Sequence, residues 1–250
     1  MTEKIIGILG GMGPEATIDL FTRIVKGTRV KKDQDHLRIL IDNNPKIPNR
    51  TLAIQGKGPN PLPLLIKSAK TLEEAGADFI AIPCVTAHHF YDPLQKKIKV
   101  PILHIVEETV NDVQTRLKKI HKIGLLATTG TLQAGLFQRA FSNSSIGIVL
   151  PDPRVQKNYV MKAVFGKNGI KAMGPSKESK RLIIEASRGL IKQGAQAVVA
   201  GCTEIPLVLK DGDLSVPVVD PVAILAGVAI RKALFQATSR GRISRSLNRT

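Results

Sequence analysis

Short, wholly apolar runs alternate with amphipathic stretches along this chain. Lys4-Ile5-Ile6-Gly7-Ile8-Leu9 is continuously apolar after its first residue, as expected of a parallel strand covered on both faces. The turn Gly10-Gly11-Met12-Gly13-Pro14 follows. A helix then starts, with Pro14 suited to its first position and Ile18, Leu20, Phe21, Ile24 and Val25 as its apolar stripe. His36 to Ile41 reads as a second strand. The Gly-, Pro- and Asn-rich segment 43–63 is too long to be mere connection, which points to function. Leu64 to Ala75 reads as a helix stopped at Gly76. Phe79 to Ile82 is a third strand, and Val100-Pro101-Ile102-Leu103 a short fourth.

The second half repeats this pattern. Lys122-Ile123-Gly124-Leu125-Leu126-Ala127-Thr128-Thr129-Gly130-Thr131 lies over the opening strand and turn, with Gly124 on Gly7 and Gly130 on Gly13. Gly147-Ile148-Val149-Leu150-Pro151 reads as another second strand. The stretch from Leu182 to Gly194 lies over that from Leu64 to Gly76, and Val216-Pro217-Val218-Val219 over Val100-Pro101-Ile102-Leu103. The matching blocks are collinear, at offsets of 116 to 118, so the chain is an internal duplication. Strand–helix alternation in each half predicts an α/β fold: two similar domains, each a parallel sheet flanked by helices, related by a pseudo-two-fold axis. We place the first domain at 1–105 plus about 219–237, the second at 106–218, and a disordered basic tail at 238–250.

Composition narrows the class. At 250 residues and 43% hydrophobic, the chain can bury two small cores, built from Ile, Leu, Val and Ala because Trp is absent. No apolar run reaches the roughly 18 residues of a membrane span. The N-terminus runs straight into a strand, so no signal peptide is expected, and two cysteines make no secreted disulfide framework. These features point to a cytoplasmic protein. The net charge of +17 raises nucleic acid as a partner. The charge is spread over helix faces and the Arg-rich stretch Thr238 to Thr250, with no aromatic platform beside it, so a solvated basic surface or an anionic small substrate accounts for it better.

The two cysteines are the centre of the chemistry. Gly76-Ala77-Asp78-Phe79-Ile80-Ala81-Ile82-Pro83-Cys84 aligns without a gap on Gly194-Ala195-Gln196-Ala197-Val198-Val199-Ala200-Gly201-Cys202. Each thiol falls just past a strand, where open α/β sheets bind ligands, and before an expected helix whose N-terminus would acidify it. A single cysteine with a histidine would suggest acyl transfer. Two equivalent thiols suit a reaction in which one takes a proton from one face of a carbon and the other gives a proton to the opposite face, inverting a stereocentre. Buried filler, a disulfide and metal binding are the alternatives; the last lacks close-spaced ligand pairs, His88-His89 being the sole adjacent pair. The turn Gly11-x-Gly13-x-x-Ala16, with Asp42 ending the second strand, also fits a dinucleotide fingerprint, although that reading leaves the thiol pair unused.

These residues resemble the cofactor-independent aspartate/glutamate racemase superfamily, most closely its aspartate racemase branch, over roughly residues 4 to 235. The landmarks are Gly10 to Pro14, Asn43 to Thr51, Pro83-Cys84-Val85-Thr86-Ala87-His88, Leu126 to Thr131, Gly169-Ile170-Lys171-Ala172 and Gly201-Cys202-Thr203-Glu204-Ile205-Pro206-Leu207. The resemblance implies an active site between the domains, no metal, no pyridoxal phosphate and usually a homodimer. It implies an acidic amino acid as substrate, aspartate first, with Cys84 and Cys202 as the acid/base pair. Arg50 would pair with a substrate carboxylate, and Met12, Val85, Thr86, Thr128, Thr131, Lys171 and Thr203 would line the pocket. Glu204 and His88 would stand behind them. The family pattern has Asn where this chain has Val85, which leaves open another amino acid, a related isomerase or decarboxylase reaction, or a non-catalytic amino-acid or dicarboxylate binder.

Overall fold

A computed structural model describes residues 3–234; the basic stretch 238–250 lies outside the described residues. Among the described residues, eight strands form two four-stranded parallel sheets. The first holds β1 (Ile6–Gly10), β2 (Ile39–Asn43), β3 (Phe79–Ala81) and β4 (Ile102–Leu103) in the order β2-β1-β3-β4. The second holds β5 (Lys122–Leu126), β6 (Gly147–Val149), β7 (Val198–Ala200) and β8 (Val218–Val219) in the order β6-β5-β7-β8. The orders are the same once the duplicated strands are matched, as the internal repeat requires. In each sheet the chain leaves the first strand to one side and returns on the other. The switch points therefore lie between β1 and β3 and between β5 and β7, where ligands bind in such folds.

Strand lengths differ from the sequence expectation for identifiable reasons. β2 begins at Ile39 rather than His36 because its register starts with Ile6↔Ile39, and β1 offers no earlier ladder partner. β4 and β8 keep only two residues each. Pro101 and Pro217 cannot donate to the ladder, but their carbonyls accept from Ile80 N and Val198 N, both at 2.9 Å. β6 likewise stops at Val149, short of Pro151. The segment 43–63 is not plain loop: it holds a short helix, Arg50–Ile54, and the next helix starts already at Leu62.

The opening helix, Pro14–Gly27, has Gly13 as its N-cap and Pro14 in its first turn. It buries Ala16, Thr17, Leu20 and Ile24. Ile18 and Phe21, expected in the apolar stripe, are 58% and 39% exposed. Positions 16, 20 and 24 recur every four residues on one helix face, whereas 18, 21 and 25 lie on another. The turn before this helix is sterically fixed. Gly11 has φ +87°, and a Cβ there would fall 2.3 Å from the backbone carbon of Asn44.

Two helices join the halves. Ile105–Arg116 leads from the first sheet into the second and packs on the Leu136–Phe141 helix. Pro221–Leu234 returns from the second sheet to pack on Pro14–Gly27 and on Ile105–Arg116. A shared apolar core, including Ile8, Leu20, Val110, Phe137, Leu125 and Leu225, runs through both halves. A second cluster around Leu190 and Val198 and a third around Leu65 and Ile80 fill the opposite faces of the two sheets. This crossed arrangement turns the carboxyl ends of both sheets toward one cleft. Among the described residues no helix is long and apolar enough to cross a membrane.

Candidate active site

Cys84 lies three residues beyond β3, and Cys202 two beyond β7. Both thiols are free and buried, and both line one small cavity between the halves. The cavity has only about 10 Å³ open to the centre of a water molecule, so it stands closed. The helix expected after Cys84 is present in 3₁₀ form, Val85–Phe90, and runs on into the short α-helix Tyr91–Gln95, whereas only a bend and a three-residue 3₁₀ turn, Ile205–Leu207, follow Cys202. Aligned helix dipole is correspondingly small, and the environment works the other way at Cys202. Burial, and then the neighbouring Glu204 carboxylate, push its thiol well above the ordinary range, against the opposing pull of Lys171. The thiol donates to Glu204 Oε2 at 2.9 Å.

The two halves reach into one another through equivalent positions. Thr86, two residues after Cys84, meets the opening turn of the second half. Its hydroxyl lies 2.8 Å from Thr131 Oγ1 and 3.2 Å from Thr128 Oγ1, and those two are 3.1 Å apart. Thr128 also caps the short helix Thr129–Gln133 by accepting from the Thr131 amide at 3.3 Å. Glu204, two residues after Cys202, meets the opening turn of the first half: Gly13 N donates to Glu204 Oε1 at 3.1 Å. The Thr203 hydroxyl crosses the cleft to donate to the Pro83 carbonyl at 3.0 Å.

Two cations converge on the Met12 carbonyl. Lys171 Nζ donates to it at 2.9 Å and Arg50 Nη2 at 3.1 Å. Lys171 is also ion-paired and hydrogen-bonded to Glu204 Oε1, and its Nζ lies 5.7 Å from the centroid of the Phe165 ring. Burial works to lower the Lys171 pKa, but the Glu204 carboxylate, and after it negative charge on the two cysteines when they ionise, outweigh it and raise the ammonium above its ordinary value. Arg50 spends its Nη1 donors on the carbonyls of Ile47 and Pro48, at 3.0 and 2.7 Å. Its Nε is buried with no protein partner, a donor left over at the edge of the cavity.

Met12, Arg50, Val85, Thr86, Thr128, Lys171 and Thr203 line the cavity with both cysteines, and Glu204, expected behind them, lines it too. Thr131 sits just behind it, bonded to Thr86 and Thr128. His88 points elsewhere. Its Nδ1 lies 3.0 Å from the Cys84 carbonyl, and its Nε2 lies 3.3 Å from both the Ile105 amide and the Leu103 carbonyl. Burial, with His104 adding to it, lowers the His88 pKa to about 4. His88 therefore supports the Cys84 backbone as a neutral ring and leaves proton transfer at the cleft to other groups. Asn49, Thr51 and Phe165 also line the cavity, and sequence reasoning missed them. Asn49 caps the Arg50–Ile54 helix through the amides of Thr51 and Leu52, a pattern visible in the run Asn49-Arg50-Thr51. Phe165 carries no such local signal. No group of three or more His, Cys, Asp or Glu side chains is placed to hold a metal ion among the described residues.

Two like α/β halves, each ending a central strand in a thiol that opens on the same cleft, define a duplicated two-domain protein with a paired-cysteine site. The chain belongs to the Asp/Glu/Hydantoin racemase family, whose model matches residues 9–229; it is an amino-acid racemase-type isomerase. It is 28% identical over 229 residues to the broad specificity amino-acid racemase RacX of Bacillus subtilis, covering 89% of this chain and 95% of that protein. It is 26% identical over 203 residues to a glutamate racemase of Corynebacterium glutamicum, covering 78% of this chain and 69% of that protein. Among solved structures, Picrophilus torridus aspartate racemase superposes with a TM-score of 0.77 at 28% identity, covering 92% of this chain and 94% of that one.

Proposed function

We propose that the chain racemises an acidic amino acid, aspartate first, by passing a proton across the substrate α-carbon between Cys84 and Cys202. The observation that carries this reading is that both thiols line one cavity from equivalent positions of a duplicated fold. Such a pair matches a reaction whose substrate and product are mirror images. In one direction of the reaction, the Cys84 thiolate takes the α-proton and becomes a thiol. Cys202, held protonated by burial and by Glu204, gives its proton to the opposite face and becomes a thiolate. The enzyme is left in the complementary protonation state, which serves the reverse reaction.

The carbanion between these steps needs fixed donors in a site without bulk water. The Thr86 and Thr128 hydroxyls, both lining the cavity, are such donors, oriented by their bonds to one another and to Thr131 behind them. Arg50, with its unpartnered buried Nε, and Lys171 supply positive charge for a second carboxylate. The cavity as it stands is too small for an amino acid and must open to admit one.

Incubation of L-aspartate with the enzyme in D₂O tests the proposal. Deuterium is expected at the α-carbon together with loss of optical rotation. If no acidic amino acid exchanges its α-proton, the substrate assignment is wrong. A wider substrate range is favoured by one feature, the apolar Val85 beside Cys84 with Met12 and Phe165 around the same cavity. Similar exchange rates with alanine, lysine and aspartate would support that reading instead.

A further inference from the structure

Glu204 has donors on both oxygens in the closed cleft. Its Oε1 takes the Gly13 amide and Lys171, and its Oε2 takes the Cys202 thiol, the Thr203 proton being held by the Pro83 carbonyl. Its side chain is 3% exposed and that of Lys171 is 18% exposed, so the pair is held away from water. Both partners come from the second half, yet both grip the Met12–Gly13 peptide of the first. They form a latch across the cleft that contains the thiols.

We propose that Glu204 determines specificity by occupying, on Lys171, the place of a substrate side-chain carboxylate. A ligand gains Lys171 only by bringing a carboxylate to replace it. This rests on the reading of the cleft as the amino-acid site. The exchange is physically balanced. When Lys171 moves to the ligand, Glu204 keeps two donors, Gly13 N–H and Cys202 S–H, one on each oxygen, and is not stranded. Lys171 has no equivalent fallback. Without Glu204 or a ligand carboxylate it would be a buried ammonium with the Met12 carbonyl and the face of Phe165 but no anion, a costly state. A ligand with a single carboxylate, once that group is held by the threonines, offers Lys171 nothing and leaves the latch closed. A dicarboxylate opens it.

Calorimetric titration with succinate and propionate, which carry no α-ammonium and cannot racemise, tests the exchange apart from turnover. In Glu204→Gln the internal competitor is gone while an amide oxygen remains for Gly13. Succinate is expected to bind about tenfold or more tightly than to the wild type, and propionate to change by less than about threefold. Glu204→Asp keeps the anion and should show no such gain. In the double variant Lys171→Met/Glu204→Gln the gain should vanish, because its receiver is absent. A role for Glu204 confined to holding the fold would weaken succinate binding in Glu204→Gln. That result, an equal gain for propionate, a gain that survives removal of Lys171, or no succinate binding by any form would overturn the proposal. A succinate gain in an enzyme that leaves the aspartate α-proton in place would retain the exchange and remove the reaction assigned above.

Discussion

The two cysteines occupy equivalent positions, but their neighbours differ in kind. With the halves aligned at the thiols, Val85 lies on Thr203, Thr86 on Glu204 and His88 on Pro206. Thr86 and Glu204 make the same move, each reaching across to the other half's opening turn. One arrives as a neutral hydroxyl in a cluster of three; the other arrives as a carboxylate holding a thiol proton and an ammonium. Duplication preserved the geometry and released the chemistry. The duplicated backbone brings both thiols to one cavity, and divergence at the second residue past each cysteine gives only the Cys202 thiol a carboxylate acceptor; under the proposed mechanism that makes the two thiols unequal as proton donors.

The sharpest way to break this comparison is to remove one thiol at a time. Cys84→Ala and Cys202→Ala are each expected to lower racemisation kcat on the order of 10³-fold, the scale of a lost general acid or base. Polarimetry on aspartate measures it. Full activity in either variant would mean that the equivalence of the two positions is structural only.

The halves should also fail at opposite ends of the pH scale. His88, in the first half, has its pKa lowered to about 4 by burial. In the unfolded chain it binds a proton near pH 6.5, so between these values the unfolded state holds more protons and stability rises with pH. Its contribution is complete above 6.5 and is lost as pH falls toward 4, by about 2 kcal/mol at pH 5. Urea unfolding at pH 7 and pH 5 should show this extra loss in the wild type and not in His88→Gln. Cys202, in the second half, has the opposite sign. Its raised pKa favours the protonated thiol in the fold, so stability is present below the ordinary thiol value of roughly 8.5 and declines as pH rises past it. Cys202→Ser should flatten that alkaline decline.

The hydroxyl cluster gives a smaller effect. Thr86→Val removes the member shared between halves and leaves Thr128 and Thr131 paired at 3.1 Å. About 1 kcal/mol of stability should be lost, the net worth of a buried neutral hydrogen bond. A fall in kcat/KM of roughly tenfold is expected as the developing oxyanion loses one donor. An unchanged kcat/KM would remove the cluster from the site.

Much of this site was legible because it is local. The repeat placed both thiols and both opening turns, and the fold brought them to one cavity as the matching sheet orders require. What was not legible depends on contacts between distant segments. The short 3₁₀ turn after Cys84 carries the His88 ring back under the Cys84 carbonyl, a direction that four residues of sequence separation do not specify. Phe165 reaches the cavity from the end of the Lys162–Phe165 helix, where no period or motif marks it. Glu204 could be read as a helix-end acid or a supporting group; its partners Gly13 and Lys171, 191 and 33 residues away, decide the matter. The raised Cys202 pKa is a consequence of burial, a tertiary property, and it reverses the expectation of an acidified thiol. The exposed Ile18 shows the same limit on the fold: an apolar residue signals a face but not which face the sheet covers.

The finest test concerns the one pair whose chemistry was lost rather than altered. Val85 is 2% exposed and packs in the shared core, while its counterpart Thr203 crosses the cleft to the Pro83 carbonyl. Pro83 matches Gly201 in the second half. If the pseudo-two-fold relation holds at the level of single hydrogen bonds, Val85→Thr places a hydroxyl where it can donate to the Gly201 carbonyl. The substitution keeps volume but buries a polar group, which costs roughly 1–3 kcal/mol when unpaired and close to nothing when the bond forms. A melting-temperature change near zero would show that the mirror contact is available and was simply not retained. A loss on the order of 2 kcal/mol would show that the cleft is symmetric in backbone alone. Racemisation should move little in either case, because the hydroxyl would face a carbonyl of the opposite half and not the α-carbon. A change of about tenfold in kcat would instead make Val85 a direct neighbour of the reacting atoms.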